Sequence, residues 1–218
     1  MAIIHADFRF IEIEYELWAL GHLRTVVEDQ VVFLRHQDTQ RTFAELRDQG
    51  WDHDEGERQL ASQELDERQN FVIPRFFRGP FVVSLWASYE SAVKEVAEYY
   101  QTKRGASLGW RDIRASNVLM QLDKYFHSVL GVPVDDHAER FALLEDLRAI
   151  RNAIAHANGQ RRAMSDDQWR TVARVLKRRG VPPDEYRGVI ILSESFVRDA
   201  YEAVNASLRA LVGRARAA

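Results

Sequence analysis

The sequence predicts an all-α protein. Apolar residues recur at threes and fours along most of the chain, the spacing of a helix with one buried face. The single strand-like run, Val189-Ile190-Ile191-Leu192, is short. Glycine and proline fall between the periodic stretches rather than within most of them, which gives the chain its helix boundaries.

Taken in order, Phe8 to Arg47 carries Ile11, Tyr15, Leu17, Val26, Val31, Leu34, Phe43 and Leu46 at helical spacing. It predicts one long helix or two in line, with Gly21 as a kink. Gln49-Gly50-Trp51-Asp52 reads as a turn, and Glu57 to about Asn70 as a more polar helix. Pro74 and Gly79-Pro80 then punctuate a stretch in which Phe71, Ile73, Phe76, Phe77 and Phe81 predict a buried aromatic corner. From Val82 to Lys103, Leu85, Trp86, Tyr89, Val93, Val96 and Tyr100 form the apolar stripe of a strong amphipathic helix. Asp112 to about Leu130 predicts a further helix, broken at Gly131-Val132-Pro133. The next helix runs from about Asp136 to Ala157. Ser165-Asp166-Asp167 caps another that ends near Arg179-Gly180. Ser193-Glu194 opens the last, to about Val212, with a frayed tail from Gly213.

Composition bounds the function. A chain of 218 residues with 46% hydrophobic residues can bury a sizeable core, as one large domain or one domain with a helical extension. The net charge of −3 excludes a polyelectrolyte binder, so any nucleic-acid contact must come from a local patch. The absence of cysteine excludes disulfides, thiol nucleophiles and cysteine-ligated metals. No apolar run approaches a membrane span, and the acidic start with Asp7, Glu12, Glu14 and Glu16 does not read as a signal peptide. The expectation is a cytoplasmic protein with no membrane partner. No Gly-rich phosphate loop, serine-nucleophile elbow or zinc-protease pattern is present.

The most informative stretch is Arg151-Asn152-Ala153-Ile154-Ala155-His156, followed by the helix stop Asn158-Gly159. At ~100° per residue, Leu143, Leu147, Ile150 and Ile154 predict the core face of this helix. Asn152 and His156 are i,i+4 neighbours on roughly the opposite side. Arg151 sits at the border, where its stem can pack while its guanidinium reaches round. Ala142, Ala149 and Ala153 predict a seam where a second helix approaches, from the same chain or a second copy. Histidine, with an ordinary pKa of about 6.5, can take a proton from a ribose 2′-hydroxyl. An arginine matches phosphate oxygens with a planar fork and can stabilise charge on a five-coordinate phosphorus. Asparagine can orient the histidine or hold a phosphate oxygen. This chemistry requires no metal or other cofactor.

Arg-Asn-x-x-Ala-His-x-x-Gly on a helix of an all-helical chain resembles the HEPN superfamily, the higher eukaryotes and prokaryotes nucleotide-binding domains. The resemblance implies an HEPN-like helical bundle over residues 75–218, with residues 1–74 as an N-terminal helical extension packed on it. It implies Arg151 and His156 as catalytic and Asn152 as supporting, in a metal-independent endoribonuclease. It also implies a homodimer joined through the motif helix, and a toxin or defence-system setting with an antitoxin or defence protein as partner. Other superfamily members lack catalysis and serve as dimeric binding or scaffold modules for a protein or nucleotide, so that alternative stays open.

Arg148, Arg161 and Arg162 flank the motif as candidate contacts to an RNA backbone. Lys177-Arg178-Arg179 reads instead as a basic helix terminus. Asp52-His53-Asp54-Glu55 and Asp135-Asp136-His137 with Glu139 superficially look like metal clusters. Helix capping explains their acids, and zinc-ligand spacing is absent. Glu90 and Glu95 are weak candidates for orienting Arg151 or His156, and the tryptophans read as core or interface anchors.

Overall fold

A computed structural model describes residues 8–181 and 187–217. Among these, the chain forms seven α-helices: α1 (Phe8–Asp48), α2 (Glu55–Glu67), α3 (Ile73–Arg104), α4 (Val118–Ser128), α5 (Ala138–Ala157), α6 (Asp166–Arg178) and α7 (Glu194–Ala217). The all-α prediction holds. The strand-like run contributes only an isolated antiparallel bridge, Gln160 to Val189.

Two compact units divide the chain. One comprises residues up to Gly21, Ser84–Ala149 and residues from Arg198; the other comprises His22–Val83 and Ile150–Val197. The first 74 residues therefore supply part of both.

The first unit is built on the amphipathic stripe that the sequence predicts. Leu85, Trp86, Tyr89, Val93, Val96 and Tyr100 of α3 are all buried. So are Phe10, Ile13, Leu17 and Leu20 of α1, Leu119, Leu122 and Phe126 of α4, and Val204, Leu208 and Leu211 of α7. Edge-on aromatic pairs link the elements, Phe10 with Tyr99 at 4.8 Å and Tyr100 with Phe126 at 6.0 Å. Helix α1 runs unbroken through Gly21, one long helix rather than two in line. Its glycine makes room for Tyr201: a Cβ there would lie 2.6 Å from the tyrosine Oη, which donates to the Leu17 carbonyl at 3.2 Å.

Two further corrections fall in this unit. The helix predicted from Asp112 starts at Val118, because Asn117 caps it by accepting from the Met120 N–H at 3.1 Å, and Trp110–Asp112 is a 3₁₀ turn. The tail predicted to fray is helical to Ala217. Ala215 is buried, and Arg214 donates to the carbonyls of Pro133 and Val134 at 3.1 and 2.9 Å. Two predicted anchors, Trp86 and Trp110, are buried, whereas Trp18 on α1 is 64% exposed.

In the second unit, Asp54 caps α2 by accepting from the Glu57 N–H at 3.0 Å, so that acidic run is a helix start. A five-residue π-helical segment, Arg68–Val72, carries the chain directly from α2 into α3. Side chains on this segment grip α1. Gln69 Nε2 donates to the Arg35 carbonyl at 2.8 Å while Arg35 Nε donates to the Gln69 carbonyl at 2.9 Å. Arg68 bonds Asp38 at 2.9 Å and Thr42 at 2.7 Å.

The predicted buried corner does not form. Pro74 follows the π-helical segment and has no N–H to give the Gln69 carbonyl, which accepts from Arg35 Nε at 2.9 Å instead. Pro80 lies inside the helix, where it removes the donor to the Phe76 carbonyl, and both Pro80 and Phe76 are exposed, Phe76 at 61%. Of the five predicted cluster residues only Phe81 is buried. Arg78, 8% exposed, forms a two-pronged ion pair with Glu28 at 2.6 and 2.9 Å and also donates to the Leu192 carbonyl at 3.0 Å. Helix α6 starts as predicted, with a reciprocal Ser165–Gln168 capping box and Trp169 buried.

Candidate functional site

The motif lies on the last turns of α5. The buried apolar positions of this helix are Leu144, Leu147, Ile150, Ala153 and Ala157, and Asp146 is buried beside them at 3% exposure. The predicted core stripe is thus correct at Leu147 and Ile150 but turned slightly: Leu143 and Ile154 are only half-buried. Ala153, assigned to a seam by its sequence position, is 7% exposed and belongs to the packed face of its own chain. Asn152 is half-buried, and Ala155 and His156 are exposed. These three positions fall together on the side opposite the buried stripe.

Local signals stop the helix and hold its end in place. Asn158 (φ 50°) and Gly159 (φ 65°) adopt left-handed conformations, and the Gly159 N–H reaches back to the Ala153 carbonyl at 3.0 Å. A side chain at Gly159 would also press on Ile190, 3.3 Å from where its Cβ would stand. Arg75 of α3 donates to the Asn158 carbonyl at 2.7 Å, and a Cβ at Gly79 of α3 would touch Ile154 at 3.4 Å. Beyond the stop, the Arg161 N–H bonds the Gly188 carbonyl at 2.8 Å and the Ile190 N–H bonds the Gly159 carbonyl at 2.9 Å. The end of the motif helix is therefore anchored by α3 on one hand and by residues 188–190 on the other.

Arg151 and Asn152 are brought together. Arg151 Nη1 donates to Asn152 Oδ1 at 2.9 Å. Arg151 Nε is buried without a hydrogen-bond partner, and the guanidinium has no carboxylate partner among the described residues. His156 stands one helical turn beyond Asn152, exposed, with no hydrogen-bond partner among the described residues. A half-buried cation lacking a counterion, beside an accessible imidazole, can hold an anion and move a proton next to it.

The flanking arginines separate. Arg161 and Arg162 are exposed and line an open pocket of about 630 Å³ just past the motif helix. Arg148, also on α5, falls in the other compact unit, where it is half-buried with its Nε unpartnered. Glu90 is engaged by Trp86 Nε1 at 2.9 Å and by Lys94 at 2.5 Å. Glu95 is pushed above the usual carboxylate range by burial and by the nearby Glu16 and Glu12. Asp135 receives Arg140 at 2.6 Å and the His137 N–H at 2.8 Å, an arrangement that starts and braces α5. Among the described residues no group of three His, Asp or Glu is placed to hold a metal ion, and no helix is long and apolar enough to cross a membrane.

Two residues that position this region escaped the sequence reading. Arg75 is distant in sequence and has no local pattern. Arg187 lines the same pocket as Arg161, two residues before the strand-like run that builds the bridge. That adjacency was the available signal. Comparison with family models, curated proteins and solved structures finds no match for this chain.

Proposed function

We propose that this protein is a metal-independent endoribonuclease of a toxin or defence system, acting as a homodimer in which two copies of the motif helix meet. The observation that carries the reading is the state of Arg151: tied to Asn152, its Nε buried and unpartnered, beside the exposed His156. A phosphodiester supplies the anion that this guanidinium lacks.

In the proposed reaction His156 removes the proton from a ribose 2′-hydroxyl. The 2′-oxygen attacks the adjacent phosphorus, and the 5′-oxygen leaves, taking a proton from the partner's histidine or from water. The products are a 2′,3′-cyclic phosphate and a 5′-hydroxyl. Arg151 stabilises the added negative charge of the five-coordinate phosphorus. The bond from Arg151 occupies the Asn152 oxygen, which leaves its NH₂ to hold a second phosphate oxygen or the imidazole. Ala155 and His156 leave the motif face open to a second copy.

The test is incubation of the purified protein with total tRNA and a structured RNA in excess EDTA, beside His156→Ala and Arg151→Ala. Cleavage by wild type is expected, with roughly 10²-fold or greater loss in each variant. One observation favours a second reading, a non-catalytic dimeric binding module: His156 has no partner among the described residues to orient its ring. Folded, dimeric wild type that cleaves neither RNA would establish that reading instead.

A further inference from the structure

The pocket beyond the motif helix is lined by Gln160, Arg161, Arg162, Arg187 and, at the start of α6, Asp166. Its cations are in different states. Arg187 is held in place: it is paired with Glu67, and its guanidinium stacks on the Phe71 ring, 3.8 Å from the centroid. Arg162 Nε donates to the neutral Gln160 Oε1 at 2.7 Å, which orients it without cancelling its charge. The Arg161 side chain has no hydrogen-bond or ion-pair partner among the described residues, while its backbone is pinned to Gly188. Two guanidiniums with no ion-pair partner among the described residues thus line one concave surface, together with the paired Arg187 and a single carboxylate, Asp166, so cations outnumber acids in the lining three to one. The remaining lining, Met164, Gly188 and Val189, is uncharged. The segment from His156 to Arg161 spans at most ~18 Å, so the pocket lies within a few nucleotides' reach of the motif.

We propose that this pocket seats a backbone phosphate of single-stranded RNA a few nucleotides from the scissile bond. Arg161 and Arg162 carry the charge, and Arg187 shapes the wall. The identity of the ligand rests on the ribonuclease reading, whereas the anion seat rests on the pocket itself. Phosphate contacts of this kind position a strand without reading its sequence.

The test uses the full chain in EDTA with a fluorescein-labelled 2′-O-methyl oligoribonucleotide, which cannot undergo 2′-oxygen attack. Anisotropy titrations are run from low to physiological salt. Wild type binds. Arg161→Ala/Arg162→Ala, verified as folded by circular dichroism, binds roughly tenfold more weakly, with the salt slope reduced by about one per arginine removed. Arg161→Lys/Arg162→Lys keeps the slope. Unchanged affinity and slope in the alanine variant overturn the proposal. So does binding of poly-glutamate in place of the oligonucleotide, which would assign the pocket to an acidic protein segment. Parallel assays on unmodified RNA separate this proposal from the ribonuclease reading. Wild-type cleavage with KM unaltered in the alanine variant removes the pocket alone. Pocket-dependent binding with no cleavage removes the ribonuclease alone.

Discussion

Arg151 Nη1 donates to the side-chain oxygen of Asn152, its immediate neighbour in sequence, at 2.9 Å. Adjacent helical residues point about 100° apart, so this bond exists only because the arginine folds back across the helix surface. It engages the oxygen of the Asn152 amide and leaves the NH₂ as its remaining donor. The stem of Arg151 is half-buried and its Nε is already out of water, so the pose does not depend on a bound ligand.

Asn152→Asp converts this contact into an ion pair that occupies Arg151 with an internal anion. Cleavage in single-turnover assays is expected to fall by roughly 10²-fold, the scale for losing one transition-state donor. Asn152→Ala, which leaves the guanidinium free, should lose less. An aspartate variant as active as wild type would remove Arg151 from the chemistry.

Gly21 and Tyr201 form a notch and its filling. In an exposed helix Gly→Ala adds up to ~1 kcal/mol of stability. Here the new methyl would lie 2.6 Å from Tyr201 Oη and drive it off the Leu17 carbonyl, a hydrogen bond worth ~1 kcal/mol, with repacking on top. Gly21→Ala is expected to lower stability by about 1–2 kcal/mol in wild type and to cost clearly less in a Tyr201→Phe background, where the hydroxyl is gone and only the ring Cζ, 3.2 Å away, has to give. Urea denaturation of the four proteins reads the coupling, and additivity would refute it.

Asp135 makes one acid-sensitive contribution. Burial pushes its carboxyl up, but the Arg140 guanidinium, the His137 N–H and the Ser207 hydroxyl together hold it below its usual 3.8. A carboxyl depressed in the folded state contributes stability that is fully present above the unfolded value and is lost as pH falls through the folded one. Wild type should therefore weaken from about pH 4 downward. Asp135→Ala leaves Arg140 only its second partner, the half-exposed Asp136 at 3.2 Å, and should cost about 2 kcal/mol at pH 7 and show a flatter acid limb. Thermal melts across pH 2–7, about the range in which carboxyl groups titrate, measure both.

Glu95 acts in the opposite sense. Burial, then repulsion from Glu16 and Glu12, raise its carboxyl above the usual 4.5 despite a bond from Ser91. Its charged form is disfavoured in the native state, so this group's contribution is greatest below the unfolded pKa and is lost as pH rises through the folded one. Glu95→Gln is expected to raise the melting temperature at pH 7 and to leave it unchanged near pH 3, well below the ordinary carboxyl range. Equal effects at both pH values would contradict the assignment.

The elements read well from the sequence are those with local signals. Ser165 and Gln168 cap α6 through their own side chains, and Asn158-Gly159 stops α5 through backbone conformation. The motif residues are likewise within one helix, so their shared exposed face follows from helical geometry. The buried corner was misread because aromatic density and two prolines signal a break only if the flanking residues cannot continue the helix. The π-helical Arg68–Val72 lets them continue, and Pro80 sits at an exposed position inside α3. The phase of the α5 core was ambiguous because Leu143 and Leu144 are adjacent apolar residues, and only the packing partner selects Leu144.

The sequence by itself determined the all-α class, the caps and stops of α5 and α6, the apolar stripe of α3 and the grouping of Asn152 with His156. Each of these is written in contacts among residues within a few positions of one another. Tertiary structure alone decided that Gly21 serves Tyr201, that the C-terminal segment stays helical through Arg214, and that Arg75 fixes the end of the motif helix. It also decided that Arg187 joins Arg161 and Arg162 around one pocket. Those pairings are separated by tens to well over a hundred residues of chain. No periodicity records them, because a residue's own neighbours carry no information about which distant surface will be packed against it.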